Sequence, residues 1–218
     1  MISQRICRIA TFSGALLFTC MAALAQANPG AMSPQPQQSP NPAANPSINN
    51  TDAMQQQSST ASAMADKEFV RKALEGGMAE VQLGQLAAQK GSSDDVKQFG
   101  QQMVTDHTKL GDEMKQVAMQ MGVNQPSGLS KKDQQLVAKL NGLSGKQFDD
   151  AYIVAMVKDH KKDADDFKSE AQQSQNPTLQ QVAQQGGQVI DHHLAMIDQI
   201  AATHNLMNSK GKLESSGH

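Results

Sequence analysis

The stretch Phe99-Gly-Gln-Gln-Met-Val-Thr-Asp-His-Thr-Lys109 recurs in the same chain as Tyr152-Ile-Val-Ala-Met-Val-Lys-Asp-His-Lys-Lys162. A shorter echo, Val189-Ile-Asp-His-His193, follows towards the C-terminus. Apolar residues within and around these phrases repeat every three or four positions, which is the spacing of one face of an α-helix. A histidine interrupts each apolar face, and a polar group buried there needs a partner. The pattern therefore predicts amphipathic helices that bring histidines into a shared interior.

The same apolar spacing extends to both sides of the phrases and predicts four long helices, over about 66–89, 94–121, 146–174 and 178–205. Glycine, serine, asparagine and proline mark tight turns after the first and third helices. The longer link between the second and third helices contains a short capped helix at about 130–140. Two helical hairpins joined by such a link predict an all-α fold, a four-helix bundle with a short helix in the linking segment.

The N-terminal region has the features of an export signal. Arg5 and Arg8 precede a mostly apolar run, and Ala23-Leu-Ala25 fits a small-x-small cleavage site, so residues 1–25 are predicted to be a signal peptide. Lipidation at Cys20 is the alternative processing. The predicted location is the periplasm or cell envelope. The apolar run is too short and interrupted to span a membrane, and we expect no transmembrane span in the mature chain.

Composition divides the rest of the chain into three parts. Residues 26–63 hold six of the eight prolines among Asn, Gln and Ser, which predicts a disordered linker. Residues 64–206 form the predicted bundle domain, and residues 207–218 a flexible tail. The only two cysteines lie in the leader, so the mature chain has no disulfide or thiolate ligand. The net charge is −2, with no basic stripe or aromatic platform, and this excludes nucleic acid as a partner.

Each apolar stripe contains one ionisable residue: Glu80, His107, His160 and His193. At about 1.5 Å of rise per residue, all four lie roughly 18 to 25 Å from the turns of their hairpins. They are therefore expected at a common level near mid-helix. The sequence leaves two interpretations open. One is a hydrogen-bonded layer that fixes helix register, with Tyr152 or water as a further partner. The other is a site for one transition-metal ion, because three imidazoles and a carboxylate suit zinc, copper or iron.

Neighbouring residues refine these interpretations. Val104 and Ile190 stand where a di-iron carboxylate centre would have the Glu of a Glu-x-x-His pair, so that centre is not expected. Asp106 and Asp159 each precede a histidine and point about 100° away from it. They are interpreted either as partners of lysines or as groups that orient imidazoles of neighbouring helices.

Five motifs occur in order along the predicted bundle: Gly77-Met-Ala-Glu80, Met103-Val-Thr-Asp-His107, Phe148-Asp-Asp-Ala-Tyr152, Met156-Val-Lys-Asp-His160 and His193-Leu194. Together they resemble a bacterial family of exported proteins whose function is undefined and which have been labelled outer-membrane proteins. The resemblance covers about residues 66–205 and implies a ferritin-like bundle in the periplasm or envelope, without an established reaction. A short segment around His192 and Met196 is also similar to an exported copper-handling group, although a surface histidine is the simpler interpretation.

The predicted function is that of a non-enzymatic, stress-related envelope protein whose Glu/His layer is either structural or metal-binding. The alternative is a metal-binding protein for copper, zinc or iron, or a metal-dependent oxidase or hydrolase that uses the same layer. Outside the layer, the sequence contains no set of catalytic residues and no cofactor-binding motif. An envelope protein partner or self-association is the interpretation of the glutamine-rich exposed face, which includes Gln180, Gln181, Gln184 and Gln185.

Overall fold

The computed structural model describes residues 50–214. These residues contain five α-helices. In chain order they are α1 (Asn50–Lys90), α2 (Asp94–Met121), α3 (Lys131–Asn141), α4 (Gly145–Gln173) and α5 (Pro177–Thr203). Within these residues the only β-type pairing is one isolated antiparallel bridge, between Met207 and Leu213. The all-α prediction is confirmed, and α2 to α5 begin and end within two residues of their predicted bounds.

Helix α1 begins at Asn50, whereas the sequence analysis placed a disordered linker up to residue 63. The prediction was wrong for residues 50–63, because it relied on apolar periodicity, and nearly all described side chains before Asp66 are exposed. No proline or glycine occurs between Pro46 and Gly76, and the Ala, Met and Gln residues there favour helix without any packing. The predicted signal peptide and the linker up to residue 49 lie outside the described residues.

Local sequence signals end and start the helices. Gly122 adopts the left-handed conformation (φ 64°) and its N–H donates to the Ala118 and Met119 carbonyls, which ends α2. The Ser130 side chain accepts from the Asp133 N–H at the start of α3. The Asn176 side chain accepts from two N–H groups in the first turn of α5. These caps place the boundaries that the sequence predicted.

The four long helices form a bundle-like arrangement. Helix α1 packs along α2, and α4 packs along α5, as two helical hairpins. Helix α2 also contacts α5, and α1 contacts α4, which closes a ring of four helices around a common interior. Helix α3 contacts α1 and α4.

Hydrogen bonds between the hairpins fix the direction of the helices. At one end, the Asp149 carboxylate near the start of α4 accepts from the backbone N–H groups of Ser92 and Ser93 (2.9 Å each) and from the Ser92 hydroxyl (2.6 Å). At the other end, the Ser174 hydroxyl after α4 donates to Asp66 of α1 (2.9 Å). Helices α2 and α4 therefore start at the same end and run parallel.

Two glycines let α1 and α2 approach closely. A Cβ atom added to Gly84 would lie 2.7 Å from the Gly100 carbonyl oxygen, and one added to Gly100 would lie 2.6 Å from the Gly84 carbonyl oxygen. Such distances are too short for carbon and oxygen atoms that are not bonded. Glycine at both positions therefore sets the close contact of the first hairpin.

The polar residues of the layer divide the apolar core into two clusters. One cluster, near the α1–α2 turn, contains Phe99, Met103, Tyr152 and Met156. The other, towards the opposite end, contains Leu110, Met114, Phe167, Leu179 and Ile190. Since each long helix contributes to both clusters, its layer residue lies between two apolar segments.

The C-terminal segment differs from the predicted flexible tail. Leu206, Met207 and Leu213 pack against the first core cluster, and the Asn208 and Lys212 backbones are joined by a hydrogen bond of 2.8 Å. The prediction is therefore wrong for residues 207–214. None of the helices in residues 50–214 combines the length and the hydropathy that a membrane crossing requires.

Candidate metal centre

The four residues of the predicted layer meet in the middle of the bundle. Glu80 of α1, His107 of α2, His160 of α4 and His193 of α5 are at most 3 % exposed. Each comes from a different helix. They meet because each occupies an inward position in the apolar stripe of its helix. The ring centroids of the three histidines lie 5.1 to 5.7 Å apart. The prediction that these residues form one layer is confirmed.

A chain of hydrogen bonds runs through three of them. His193 Nε2 donates to Asp106 Oδ2 (2.8 Å), which leaves Nδ1 of the neutral His193 ring as an acceptor. His107 Nε2 donates to that nitrogen (3.2 Å). His107 Nδ1 lies 2.9 Å from Glu80 Oε2. In a neutral layer the protonated Glu80 carboxyl donates to His107, and Glu80 is the last member of this series of hydrogen bonds.

Burial favours this neutral state. Removal from water raises the pKa of Glu80 to about 7 and lowers the pKa values of His107 and His160 to about 4. Burial also lowers the pKa of His193, although the hydrogen bond to Asp106 opposes this shift. At neutral pH the imidazoles are therefore uncharged, which is the form that binds metal ions.

His160 differs from the other two histidines. Its Nδ1 donates to the Met156 carbonyl oxygen (3.1 Å), which leaves a lone pair on Nε2. This Nε2 lies 3.8 Å from Glu80 Oε1, and neither atom has a hydrogen-bond partner among the described residues. Two buried acceptors that face each other are unfavourable unless a proton or cation is shared between them.

The three imidazoles lie close enough together that they could hold a metal ion. The outer nitrogen of each ring faces an oxygen: Glu80 Oε2 for His107, the Met156 carbonyl for His160 and Asp106 Oδ2 for His193. Such oxygens orient the imidazoles of metal sites. One nitrogen of each ring lies within 4.8 Å of those of the other two.

The spacing of these nitrogens also fits an ion. Tetrahedral zinc with bonds of about 2.0–2.1 Å places neighbouring ligand atoms about 3.3 Å apart. His107 Nε2 and His193 Nδ1 are already 3.2 Å apart. Glu80 Oε1 and His160 Nε2, at 3.8 Å, need to approach by a fraction of an ångström. With a further approach of the three nitrogens, which lie within 4.8 Å of one another, these atoms and one carboxylate oxygen could surround one ion.

The residues predicted to support the layer have different positions. Asp106 hydrogen-bonds to His193, as the orienting interpretation predicted. Asp159 lies 3.8 Å from Lys132 of α3, and makes no described hydrogen bond to an imidazole. The Tyr152 hydroxyl is buried without a hydrogen-bond partner among the described residues. Its ring stacks on Phe148, and burial together with the nearby Glu80 charge raises the Tyr152 pKa.

Asp163 is a candidate residue that the sequence analysis missed. One carboxylate oxygen each of Glu80, Asp159 and Asp163 lies within 4.8 Å of the other two. Asp163 follows Asp159 by four residues, so both carboxylates lie on one face of α4. That spacing was visible in the sequence, but the sequence analysis considered only Asp159, as a partner of a lysine or as a group that orients an imidazole.

The family of the chain is apparent from its sequence. Residues 51–200 match the family described as "Domain of unknown function (DUF4142)". The chain belongs to this family. The match includes all four residues of the layer and confirms the predicted membership of a family with undefined function. No curated protein matches the chain significantly.

A solved structure supports the helical fold. The chain is similar to a structure described as "Crystal structure of DUF305 fragment from Deinococcus radiodurans", with a TM-score of 0.56 and 12 % sequence identity. The similarity covers 63 % of this chain and 95 % of that fragment. At this identity the similarity concerns the fold alone.

Proposed function

We propose that this DUF4142 protein is a non-enzymatic metal-binding bundle that holds one transition-metal ion between its helices. The ligands are His107 Nε2, His160 Nε2, His193 Nδ1 and Glu80 Oε1. The observation that carries the proposal is the orientation of the three rings, because each faces an oxygen with its outer nitrogen and the interior with its inner one. Zinc, copper and iron are the ions that this donor set suits. Four protein ligands close the coordination, which favours binding over catalysis.

Metal binding would rearrange the protons of the layer. In the neutral metal-free layer, Glu80 donates to His107 Nδ1 and His107 Nε2 donates to His193. To bind the ion, the His107 proton moves to Nδ1, where Glu80 Oε2 accepts it, and the Glu80 proton leaves. One proton is released for each ion bound. Both Glu80 oxygens then have partners, one the ion and the other the His107 N–H.

Titration of the purified, chelator-treated protein with Zn²⁺ and Cu²⁺ tests the proposal. Isothermal calorimetry should give one ion per chain, and elemental analysis after removal of free metal should give the same ratio. The melting temperature should rise with metal concentration, because the ion binds only the folded state. A His204→Ala variant is the control, since His204 pairs with Asp95 (3.1 Å) away from the layer. It should bind as the unmodified protein does.

The alternative is a purely structural layer, supported by the direct hydrogen bonds among Asp106, His193 and His107. If neither ion binds in stoichiometric amount, nor shifts the melting temperature at large excess, the metal proposal is wrong and the layer only sets the register of the helices.

We further propose that the protein is exported and that its connectivity is ferritin-like. The N-terminal Arg5, Arg8 and apolar run support export, and N-terminal sequencing of the cellular protein tests it. A mature terminus near Gln26 or Asn28 is expected, and an acylated Cys20 would contradict this. The ferritin-like connectivity is supported by the parallel start of α2 and α4, which requires the 122–144 link to cross the length of the bundle. A partner protein or self-association through α5 stays a prediction.

A further inference from the structure

A cavity of about 270 Å³ extends from the surface towards the candidate centre. Its outer wall includes Lys72 and Asp166, whose side chains are exposed, and its inner wall includes the buried Glu80 and His107. Residues of α1, α2, α3 and α4 line it, so it opens between the two hairpins. A solute that enters this cavity can therefore reach two residues of the layer.

Carboxylates concentrate at the inner end of this cavity. Glu80, Asp159 and Asp163 all line it, and one oxygen of each lies within 4.8 Å of the other two. Glu80 is 3 % exposed, and its Oε1 has no hydrogen-bond partner among the described residues. Glu80 also contacts the histidines, since its Oε2 lies 2.9 Å from His107 Nδ1 and its Oε1 lies 3.8 Å from His160 Nε2. The acidic cluster and the imidazole cluster thus share one residue.

Two lysines that also line the cavity lie beside these carboxylates. Lys132 Nζ lies 3.8 Å from Asp159, and Lys162 Nζ lies 3.5 Å from Asp163. Both lysine side chains are more than half exposed, so these ion pairs are weak and the ammonium groups can return to water at little cost. A cation that arrives in the cavity can replace them as the counter-charge.

Three glycines line the cavity at positions where a side chain would project into it. Gly76, Gly77 and Gly111 line it from the interiors of α1 and α2, and a Cβ atom added to any of them would have no atom of residues 50–214 within 4 Å. Glycine inside a helix costs about 0.5–1 kcal/mol relative to alanine. At Gly84 a close helix contact explains this cost, but the described part of the chain makes no such contact at these three positions. Their side chains are absent where a larger residue would narrow the cavity.

We propose that this cavity is the route by which the metal ion reaches the histidines, with Asp159, Asp163 and Glu80 as the site that first captures it. The inference rests on the proposed metal function. The carboxylates attract a hydrated divalent cation, and oxygen ligands replace part of its water. Glu80 then takes part in both sites, and the ion moves a short distance to the imidazole nitrogens, which bind a transition metal more tightly than oxygens do.

Loading kinetics with Co²⁺ test the route, because the visible absorption of this ion reports its coordination. Stopped-flow mixing of the metal-free protein with Co²⁺ should give a second-order rate constant that falls as salt is added. The Asp163→Asn variant should load at least about tenfold more slowly and with a weaker salt dependence. Asp165→Asn is the matched control, because Asp165 lies on the same helix, is exposed and does not line the cavity.

A second variant tests the opening itself. Gly111→Leu fills space at the wall, so association and dissociation should both slow several-fold while the equilibrium constant changes little. Gln116→Leu, at an exposed position further along α2, should load at the normal rate. Equal loading rates for Asp163→Asn, Gly111→Leu and their controls would overturn the route, even though the protein binds Co²⁺. If the unmodified protein binds no Co²⁺, Zn²⁺ or Cu²⁺ at all, the proposed function itself fails.

Discussion

At the scale of single residues, the two copies of the repeated phrase place their histidines in different bonding environments. Both ring nitrogens of His107 have partners within the layer. His160 instead hydrogen-bonds to the Met156 carbonyl of its own helix, and its Nε2 has no hydrogen-bond partner among the described residues. Removal of His107 therefore breaks hydrogen bonds between helices. Removal of His160 takes away a candidate ligand and little else.

The variant His160→Leu separates metal binding from stability. Leucine fills the space and removes a buried, unsatisfied acceptor, so the free energy of unfolding of the metal-free protein should stay within about 1 kcal/mol or increase. Stoichiometric metal binding should weaken at least about 100-fold, because a ligand is lost. Urea unfolding and calorimetric titration measure the two effects. His192→Leu, at an exposed neighbour of the layer, is the control, and unchanged affinity in His160→Leu would contradict the ligand set.

Because Glu80 is buried, we expect the free energy of unfolding of the metal-free protein to depend on pH. Burial raises its pKa from 4.5 to about 7, so between these values the folded state binds the proton that the unfolded state has lost. The contribution of Glu80 to the free energy of unfolding therefore falls as the pH rises through this range. Glu80→Gln has no such proton. It should be more stable than the unmodified protein at pH 8, on the order of 1 kcal/mol or more, and similar to it at pH 4.

Urea unfolding in the presence of a chelator, at several pH values, measures this difference. The control is Glu113→Gln, at a half-buried position of α2 outside the layer, which should lack the stabilisation at pH 8 expected for Glu80→Gln. A Glu80→Gln variant that is less stable at pH 8 would show that the ionised carboxylate is held favourably by its neighbours.

At the scale of the helices, glycine has two opposite roles in the first hairpin. Gly100 packs directly on the α1 backbone, whereas a Cβ atom added to Gly76 would meet no described atom within 4 Å. Gly100→Ala should therefore destabilise the protein by about 1–3 kcal/mol, because α1 and α2 must separate. Gly76→Ala should stabilise it by about 0.5–1 kcal/mol through helix propensity. Thermal and urea unfolding measure both, and equal effects of the two variants would contradict the described contact.

Helix boundaries and the layer could be predicted because their signals are local. Gly122, Ser130 and Asn176 stop or cap helices through neighbouring backbone groups, and the period of the apolar residues places the layer residues inward. The start of α1 could not be predicted in this way, since residues 54–65 form helix from propensity and bury almost nothing. The cluster of Asp163 with Glu80 depends on how α1 and α4 meet, which no local pattern in either helix specifies.

At the scale of the whole molecule, the two hairpins are joined through their ends. Asp149 accepts three hydrogen bonds from Ser92 and Ser93, across a separation of more than fifty residues. This contact sets which end of α4 meets the α1–α2 turn. The sequence alone left that direction undecided, because the layer lies near mid-helix and matches in either direction.

The variant Asp149→Asn tests this connection. Loss of the charge and of one acceptor should lower the free energy of unfolding at pH 7 by about 1–3 kcal/mol. Although burial opposes it, the hydrogen bonds from Ser92 and Ser93 lower the pKa of Asp149. Its contribution is therefore present above the unfolded value of 3.8 and is lost as the pH falls through the folded value.

The difference between this variant and the unmodified protein should accordingly shrink at strongly acidic pH, as measured by urea unfolding. Asp150→Asn is the matched control, because among the described residues its carboxylate pairs only with Lys146 on the same helix face. If Asp150→Asn lowers the free energy of unfolding as much as Asp149→Asn does, the hydrogen bonds of Asp149 to Ser92 and Ser93 are not what stabilises the protein.

The N-terminal part of α1 gives a prediction for the intact domain. Side chains before Asp66 are nearly all exposed, so a chain that starts at Met64 should melt within a few degrees of one that starts at Asn50. Its helical circular dichroism should fall only in proportion to the residues removed. Calorimetry and circular dichroism on both chains measure this, and a drop of many degrees would show that the segment packs.

One residue from each long helix reaches the layer, and this has a consequence for the lifetime of the protein. An ion bound there would join four points of the chain as a reversible cross-link, in a molecule whose cysteines, Cys7 and Cys20, lie far from it in sequence. A disulfide constrains the unfolded chain to a fixed extent, whereas the strength of this cross-link would rise with the supply of free ion. Resistance to proteolysis would then follow metal availability, and the amount of intact protein would record how much of the ion its surroundings contain.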